Sequence, residues 1–286
     1  MYCEGDGGPA VIMESGLGSA AWTWHTVQHE IGEVTRVCVY DRAGYFGRST
    51  TAPGPRTAGD EADDLAALLR AARIRGPYVL VGHSYGGHIV RLFAYRHPRE
   101  IAGMVLIDPS VEYQQQRMDH LLPATLRAQA DASEAKLHRC ATEPRPTSGE
   151  CTLRSPPRDL PPDLTGWFVH AQDVAYADTM WRETEAMNAG SSAQLVRERR
   201  SLGNIPVVLL ERDLSVVPPG EHSPAETAAF TVSGATWHTL HTEALAGMST
   251  RSVLRSVSGA GHRIQDDNPA AVAAAVREVV TAARRR

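Results

Sequence analysis

The sequence predicts an α/β fold: a doubly wound, mostly parallel sheet flanked by helices, with a mainly helical insertion after the strand ending at Asp108. Three observations predict it. Short β-branched runs recur along the chain, segments of helical period lie between most of them, and from Asp108 to Ile205 this alternation stops. With 286 residues and 42% apolar composition, the chain is long enough to bury a core of that size.

The elements follow in order. AVIMES (10–15), RVCVYD (36–41), YVLVGH (78–83), GMVLID (103–108), IPVVLLE (205–211) and SVLRSV (252–257) read as strands, several apolar enough to be buried on both faces. Segment 60–74 places Leu65, Leu68, Leu69 and Ala72 on one stripe. Its acidic first turn, with Asp60, Glu61, Asp63 and Asp64, suits the positive end of a helix dipole. Segment 86–97 lines Ile89, Val90, Phe93, Ala94 and His97 along one face until Pro98 stops it. A last helix opens at Pro269 and carries Val272, Val276, Val279 and Val280. The span 111–203 holds a polar helical part (Glu112 to Arg139), a proline-rich part (Pro144 to Pro162) and a second helical part (Leu164 to Arg200). It is too long for a loop and reads as a cap, leaving 1–110 and 204–286 as the core.

Composition narrows the function. A formal net charge of -4, with no basic run beyond Arg284-Arg285-Arg286, argues against nucleic acid or an anionic membrane as the main partner. No run approaches the roughly 18 apolar residues of a membrane span, and MYCEGDGGPA lacks the regions of a signal peptide. Cys3, Cys38, Cys140 and Cys151 form no CxxC, which argues against a zinc or redox motif. Their even number suits two disulfides in any of three pairings, and four reduced, buried thiols are the other reading.

One stretch carries chemistry. Gly82-His83-Ser84-Tyr85-Gly86 fits G-x-S-x-G and stands between a strand and a helix, where a sharp turn lifts a serine above the sheet edge and demands glycines beside it. A serine needs a base, and His262 follows the last strand at the same edge. His83 and His88 read as packing or supporting groups. A developing oxyanion needs donors fixed in advance, for which the Tyr85 and Leu17 N–H groups are placed. His25/His29 and His238/His241 have the spacing of paired metal ligands without a third partner, so no metal and no cofactor is expected.

Through ESGLGS (14–19), CVYDRAG (38–44), GHSYGG (82–87), LIDPS (106–110) and GAGH (259–262), the chain resembles the α/β-hydrolase family. Within it, the chain is similar to an actinobacterial, often exported subgroup. The resemblance implies hydrolysis of a small-molecule ester, lactone or thioester through an acyl-enzyme on Ser84. Relatives that open epoxides or remove halide carry aspartate there. The acid that orients His262 has two candidates. Asp108 is favoured, because Asp213 precedes His262 by 49 residues across an excursion with Pro218-Pro219 and the subgroup commonly lacks an acid there. Trp22, Trp24, Tyr45 and Phe46, with Trp167, Phe168, Met180 and Trp181 of the cap, are expected to line an apolar acyl pocket. Strand neighbours in the family imply a Cys3–Cys38 bond, and Cys140 and Cys151, which bracket the proline-rich part of the cap, are expected to pair as well, hence an extracellular protein although no signal peptide is present. Two departures stand out: Tyr45-Phe46-Gly47 is one residue longer than the usual loop, and Tyr2-Cys3 reads as the end of the family's second strand. The fold also serves lyases, cyclases and slow-turnover ligand receptors. Oligomeric state is not legible.

Overall fold

The computed structural model describes residues 1–46, 54, 56–143, 151–156, 160–217 and 222–286. Its centre is a seven-stranded sheet of β1 (Tyr2–Glu4), β2 (Ala10–Glu14), β3 (Val37–Val39), β4 (Tyr78–His83), β5 (Ile101–Ile107), β6 (Pro206–Arg212) and β7 (Arg251–Val257). The spatial order is β1-β3-β2-β4-β5-β6-β7. Only β1 runs antiparallel to its neighbour, and every other pair is parallel. The central strands β2, β4 and β5 are buried at every residue, which is why they read as continuous apolar runs, whereas edge strand β7 alternates.

Helices cover both faces. On one side α1 (His25–Gly32) and α11 (Pro269–Arg284) bury Val27, Ile31, Val272, Val276, Val279 and Val280 against the sheet. On the other lie α2 (Ala58–Ala71) and α3 (Gly86–Arg96). Thr57 caps α2, with Asp60 completing a reciprocal capping box. The buried stripe of α2 is Ala58, Ala62, Leu65, Ala66 and Leu69; Leu68 is half-buried and Ala72 exposed. The helix ends short of the expected 74 because Arg73 turns left-handed at φ 57°.

The span between β5 and β6 contains α4 (Gln114–Met118), α5 (Ala124–Thr142), α6 (Pro162–His170), α7 (Val174–Ala186), a π turn (Met187–Ser191) and α8 (Ser192–Glu198). Among its described residues there is no strand. Helix α5 buries only Leu137 and Cys140, which explains its polar sequence. The part Pro144 to Pro162 lies largely outside the described residues, as do Gly47 and Pro218-Pro219. Helix α8 packs on α3, and Leu195 and Leu202 join the main core cluster. Between β6 and β7 runs α9 (Pro224–Leu245), and α10 (Ile264–Asp267) precedes α11. The length of α9 escapes pattern reading because small and polar residues are mixed around the whole helix.

Both expected disulfides are formed. Cys3 and Cys38 face each other in the β1–β3 register with Cα atoms 4.1 Å apart, and Cys140 meets Cys151 at 5.6 Å. Among the described residues no helix is long and apolar enough to cross a membrane.

Candidate active site

Ser84 occupies the turn from β4 into α3 with φ 52°, a left-handed conformation unfavourable for a residue with a side chain. Contacts explain the glycines around it. A Cβ on Gly82 would lie 2.6 Å from Val90 Cγ2 and 2.7 Å from Gly86 O, and one on Gly86 would lie 2.6 Å from Glu14 O. Hydrogen bonds lock the turn: Ser84 N–H donates to Ile107 O at 3.1 Å, and Ser84 O accepts from Gly87 N–H at 2.8 Å and Ser110 N–H at 2.9 Å.

Three strand ends bring polar side chains to this turn. His262, in the loop after β7, places Nε2 3.1 Å from Ser84 Oγ and Nδ1 2.5 Å from Asp108 Oδ2. Asp108 follows β5 and is fully buried. Its Oδ1 accepts from Trp237 Nε1 at 2.9 Å and Arg212 N–H at 3.3 Å, and its Oδ2 from Arg212 Nη1 at 3.2 Å. Burial opposes the charge on Asp108. The hydrogen bond and charge of His262, then Arg212 and His241, outweigh it and hold the carboxyl well below the usual range. Asp213 is elsewhere engaged: its oxygens accept from Ser215 N–H, Ser215 Oγ and Gly259 N–H, bracing the loops after β6 and β7.

Two neighbouring histidines stay neutral. Burial and the proximity of His262 push His83 down to about 3. Its Nε2–H donates to the His262 carbonyl at 2.9 Å, so it supports the loop that presents His262. Burial, then the charge of Arg91, pushes His88 down to about 4.

The loop after β2 closes over the turn. A Cβ on Gly16 would lie 3.1 Å from Ser84 Cβ, so Leu17 stands beside the elbow, and Tyr85 follows Ser84 as the residue preceding α3. Of the aromatic residues expected to line a pocket, Phe46, Trp22, Trp167 and Trp181 gather here. Phe46 is buried among Tyr45, Phe168, Tyr176 and Met180, with Trp22 and Trp181 packed against that cluster. The Phe46 ring lies 5.1 Å from Phe168 and 6.3 Å from Trp167. Trp24 goes to the opposite side. It is fully buried with Val27 and Ile31 under the sheet, and its Nε1 donates to Ser15 Oγ at 2.9 Å. The reason is the tight 3-10 turn Ala21–Trp24, which sends Trp22 and Trp24 in different directions.

Sequence reasoning missed the groups that hold these in place: Trp237 and Arg212 on Asp108, and Arg42 and Glu183 beneath the Leu17 loop. None lies near its partner in sequence, so no local pattern marks it. A cavity of about 490 Å³ lies away from this site. It is lined by Pro9, Arg36, Arg73, Arg75 and Ala102 at the starts of the strands, whereas Ser84 stands past their C-terminal ends. Among the described residues no group of three or more His, Cys, Asp or Glu side chains is placed to hold a metal ion.

Known proteins share this arrangement of chain. The lipase LipV of Mycobacterium tuberculosis is 29% identical over 204 residues, 69% of this chain and 77% of that protein. An esterase of Thermogutta terrifontis superposes with a TM-score of 0.63 at 20% identity, covering 99% of this chain and 92% of that one. The enol-lactonase of Burkholderia xenovorans LB400 does so with a TM-score of 0.62 at 17% identity, covering 98% and 95%. Epoxide hydrolases also share the fold. With three other curated relatives the match is shorter, spanning 42%, 16% and 35% of their length. Residues 11–275 match the model of one family across nearly the whole sheet and insertion, and by that match this chain belongs to the alpha/beta hydrolase family.

Proposed function

We propose that this protein cleaves a carboxylic ester, lactone or thioester through an acyl-enzyme on Ser84. The observation that carries the reading is the chain of contacts Asp108 Oδ2, His262 Nδ1, His262 Nε2, Ser84 Oγ, at 2.5 and 3.1 Å. Asp108 fixes the ring so that Nε2 is the lone-pair nitrogen facing the hydroxyl. Ser84 Oγ attacks the acyl carbon as its proton passes to Nε2. The carbonyl oxygen becomes an oxyanion held by the Leu17 and Tyr85 N–H groups. The C–O or C–S bond then breaks, with His262 returning the proton to the leaving group. Water repeats the sequence on the acyl-serine and regenerates Ser84.

The serine also separates this reading from epoxide or halide chemistry. Attack by a hydroxyl on an alkyl carbon would leave an ether, which this machinery cannot hydrolyse, whereas attack on an acyl carbon leaves an ester, which it can. In the same reading residues 111–203 form a cap. The apolar cluster of Phe46, Trp22, Trp167, Phe168 and Trp181 accepts the acyl or alcohol part of the substrate. LipV, the esterase and the enol-lactonase support acyl transfer to water by their names.

The test is Ser84→Ala with a p-nitrophenyl ester. Turnover should fall on the order of a million-fold with the melting temperature kept, since glycines and backbone bonds shape the elbow. An alanine variant with near-normal, repeated turnover would dispose of the mechanism.

A further inference from the structure

We propose that Arg42 and Glu183 are a positioning pair that aims the Leu17 N–H at the oxyanion, making α7 a working part of the acyl-transfer site as well as a cover. The inference rests on the reading of Ser84 as nucleophile.

The argument starts from one peptide plane. Gly16 O and Leu17 N–H belong to the same trans peptide and point in opposite directions, so whatever holds the oxygen aims the hydrogen. Arg42 Nη2 donates to Gly16 O at 3.1 Å, Arg42 Nη1 donates to Ser15 O at 2.6 Å, and Ser19 N–H adds a 3.1 Å bond to Gly16 O. A cation on the carbonyl also draws electron density through the amide and strengthens its N–H as a donor.

Arg42 is itself immobilised. Its Nη1 meets Glu14 Oε1 at 2.8 Å, and its Nε and Nη2 meet Glu183 Oε1 and Oε2 at 3.0 and 2.9 Å, a two-pronged fit. All three side chains are at most 2% exposed. Tyr45 joins them: its hydroxyl donates to Glu183 Oε2 at 2.7 Å and accepts from Gly18 N–H at 3.3 Å.

Residues of the insertion hold the rest of the loop. Leu17 O accepts from Arg154 Nη2 at 3.0 Å, and Gly18 O from the Tyr176 hydroxyl at 2.7 Å. Every carbonyl from Ser15 to Gly18 therefore accepts a hydrogen bond from a side chain. A loop with two glycines has no such rigidity of its own, and a donor that must reorganise during the reaction loses most of its worth. Helix α7 therefore cannot swing out without breaking a buried, two-pronged ion pair.

Glu183→Gln tests the proposal, because it keeps the side-chain volume and leaves Arg42 paired with Glu14. Two readouts are taken on folded protein. The first is kcat and KM for a p-nitrophenyl ester. The second is affinity for a trifluoromethyl ketone: Ser84 Oγ adds to its carbonyl, the proton passes to His262, and the former carbonyl oxygen becomes an oxyanion. The expected result is a loss of about 10- to 100-fold in kcat with KM nearly unchanged and a parallel loss of ketone affinity, a share of what deleting an oxyanion donor costs. Tyr176→Phe, which removes only the hydroxyl on Gly18 O, should lose about 3- to 10-fold in both. If Glu183→Gln does not fold, Tyr45→Phe, which removes the hydroxyl that donates to Glu183 Oε2, decides by the same measurements. Unchanged kcat and ketone affinity overturn the proposal, and so does a kcat loss without an affinity loss. An active Ser84→Ala variant would instead strike the nucleophile reading, so the two failures are distinguishable.

Discussion

Two histidine–carboxylate pairs stand at the ends of neighbouring strands, and they differ in one nitrogen. Asp108 follows β5 and Glu211 lies in β6, with side chains 0% and 1% exposed. His262 Nδ1 meets Asp108 at 2.5 Å, and His241 Nδ1 meets Glu211 Oε2 at 3.0 Å. The second nitrogens part company. His241 is fully buried with Nε2 3.0 Å from Pro109 O, whereas the His262 side chain is 44% exposed with Nε2 on the Ser84 hydroxyl. A ring with both nitrogens on oxygen acceptors inside the core cross-links β5, β6 and α9. The same ring with one nitrogen on a hydroxyl at an open edge is placed to move a proton. A carboxylate partner therefore orients a histidine without making it a base; access to the other nitrogen does that.

The sharpest way to break the comparison is to blunt both carboxylates. Asp108→Asn should lower kcat for a p-nitrophenyl ester by roughly 10⁴, by favouring the wrong ring tautomer. Glu211→Gln and Asp213→Asn should each stay within a few-fold of the parent. Equal losses in Asp108→Asn and Glu211→Gln would erase the distinction between the pairs. Stability is a second readout: Glu211→Gln leaves one carbonyl oxygen where two carboxylate oxygens meet His238 and His241. It should cost about 1–3 kcal/mol in urea unfolding, as leaving a buried hydrogen-bonding group without its partner does.

The smallest effect is the acid limb of stability. Asp108 is held below the usual range, and so are Glu211 and Glu112. For Glu112, burial is outweighed by the charge and hydrogen bonds of Arg91, and its carboxyl sits at about 2. Depressed carboxyls contribute stability above their unfolded values that is lost as pH falls through the folded ones. The melting temperature should thus decline from about pH 5 towards pH 2. Glu112→Gln should lie below the parent at neutral pH and flatten part of that decline. Burial pushes Glu14 and Glu61 the other way, so a parent curve flat over this range would show that the depressed carboxyls do not dominate the acid limb.

Much of the fold and some of the site was legible in the chain, for local reasons. The strand runs, the acidic first turn of α2, Pro269 at the start of α11, and the glycines at 82 and 86 answer to constraints a few residues long: burial on both faces, a helix dipole, a proline's fixed φ, and a Cβ that would collide with Gly86 O or Glu14 O. The family match over residues 11–275 follows from the same segments. The extra turn expected of α2 failed locally too, because a left-handed Arg73 carries no mark in composition.

By itself, then, the sequence determined the elements, their alternation, the strained serine turn and a histidine after the last strand, since each depends on neighbours along the chain. Tertiary structure alone decided that Asp108 and not Asp213 meets His262, that Trp22 faces the insertion while Trp24 enters the core, and that Arg42 finds Glu183 from 141 residues away. Those outcomes depend on where separate strand ends and loops converge. That convergence is set by packing the whole sheet against its helices, and no window of sequence contains it.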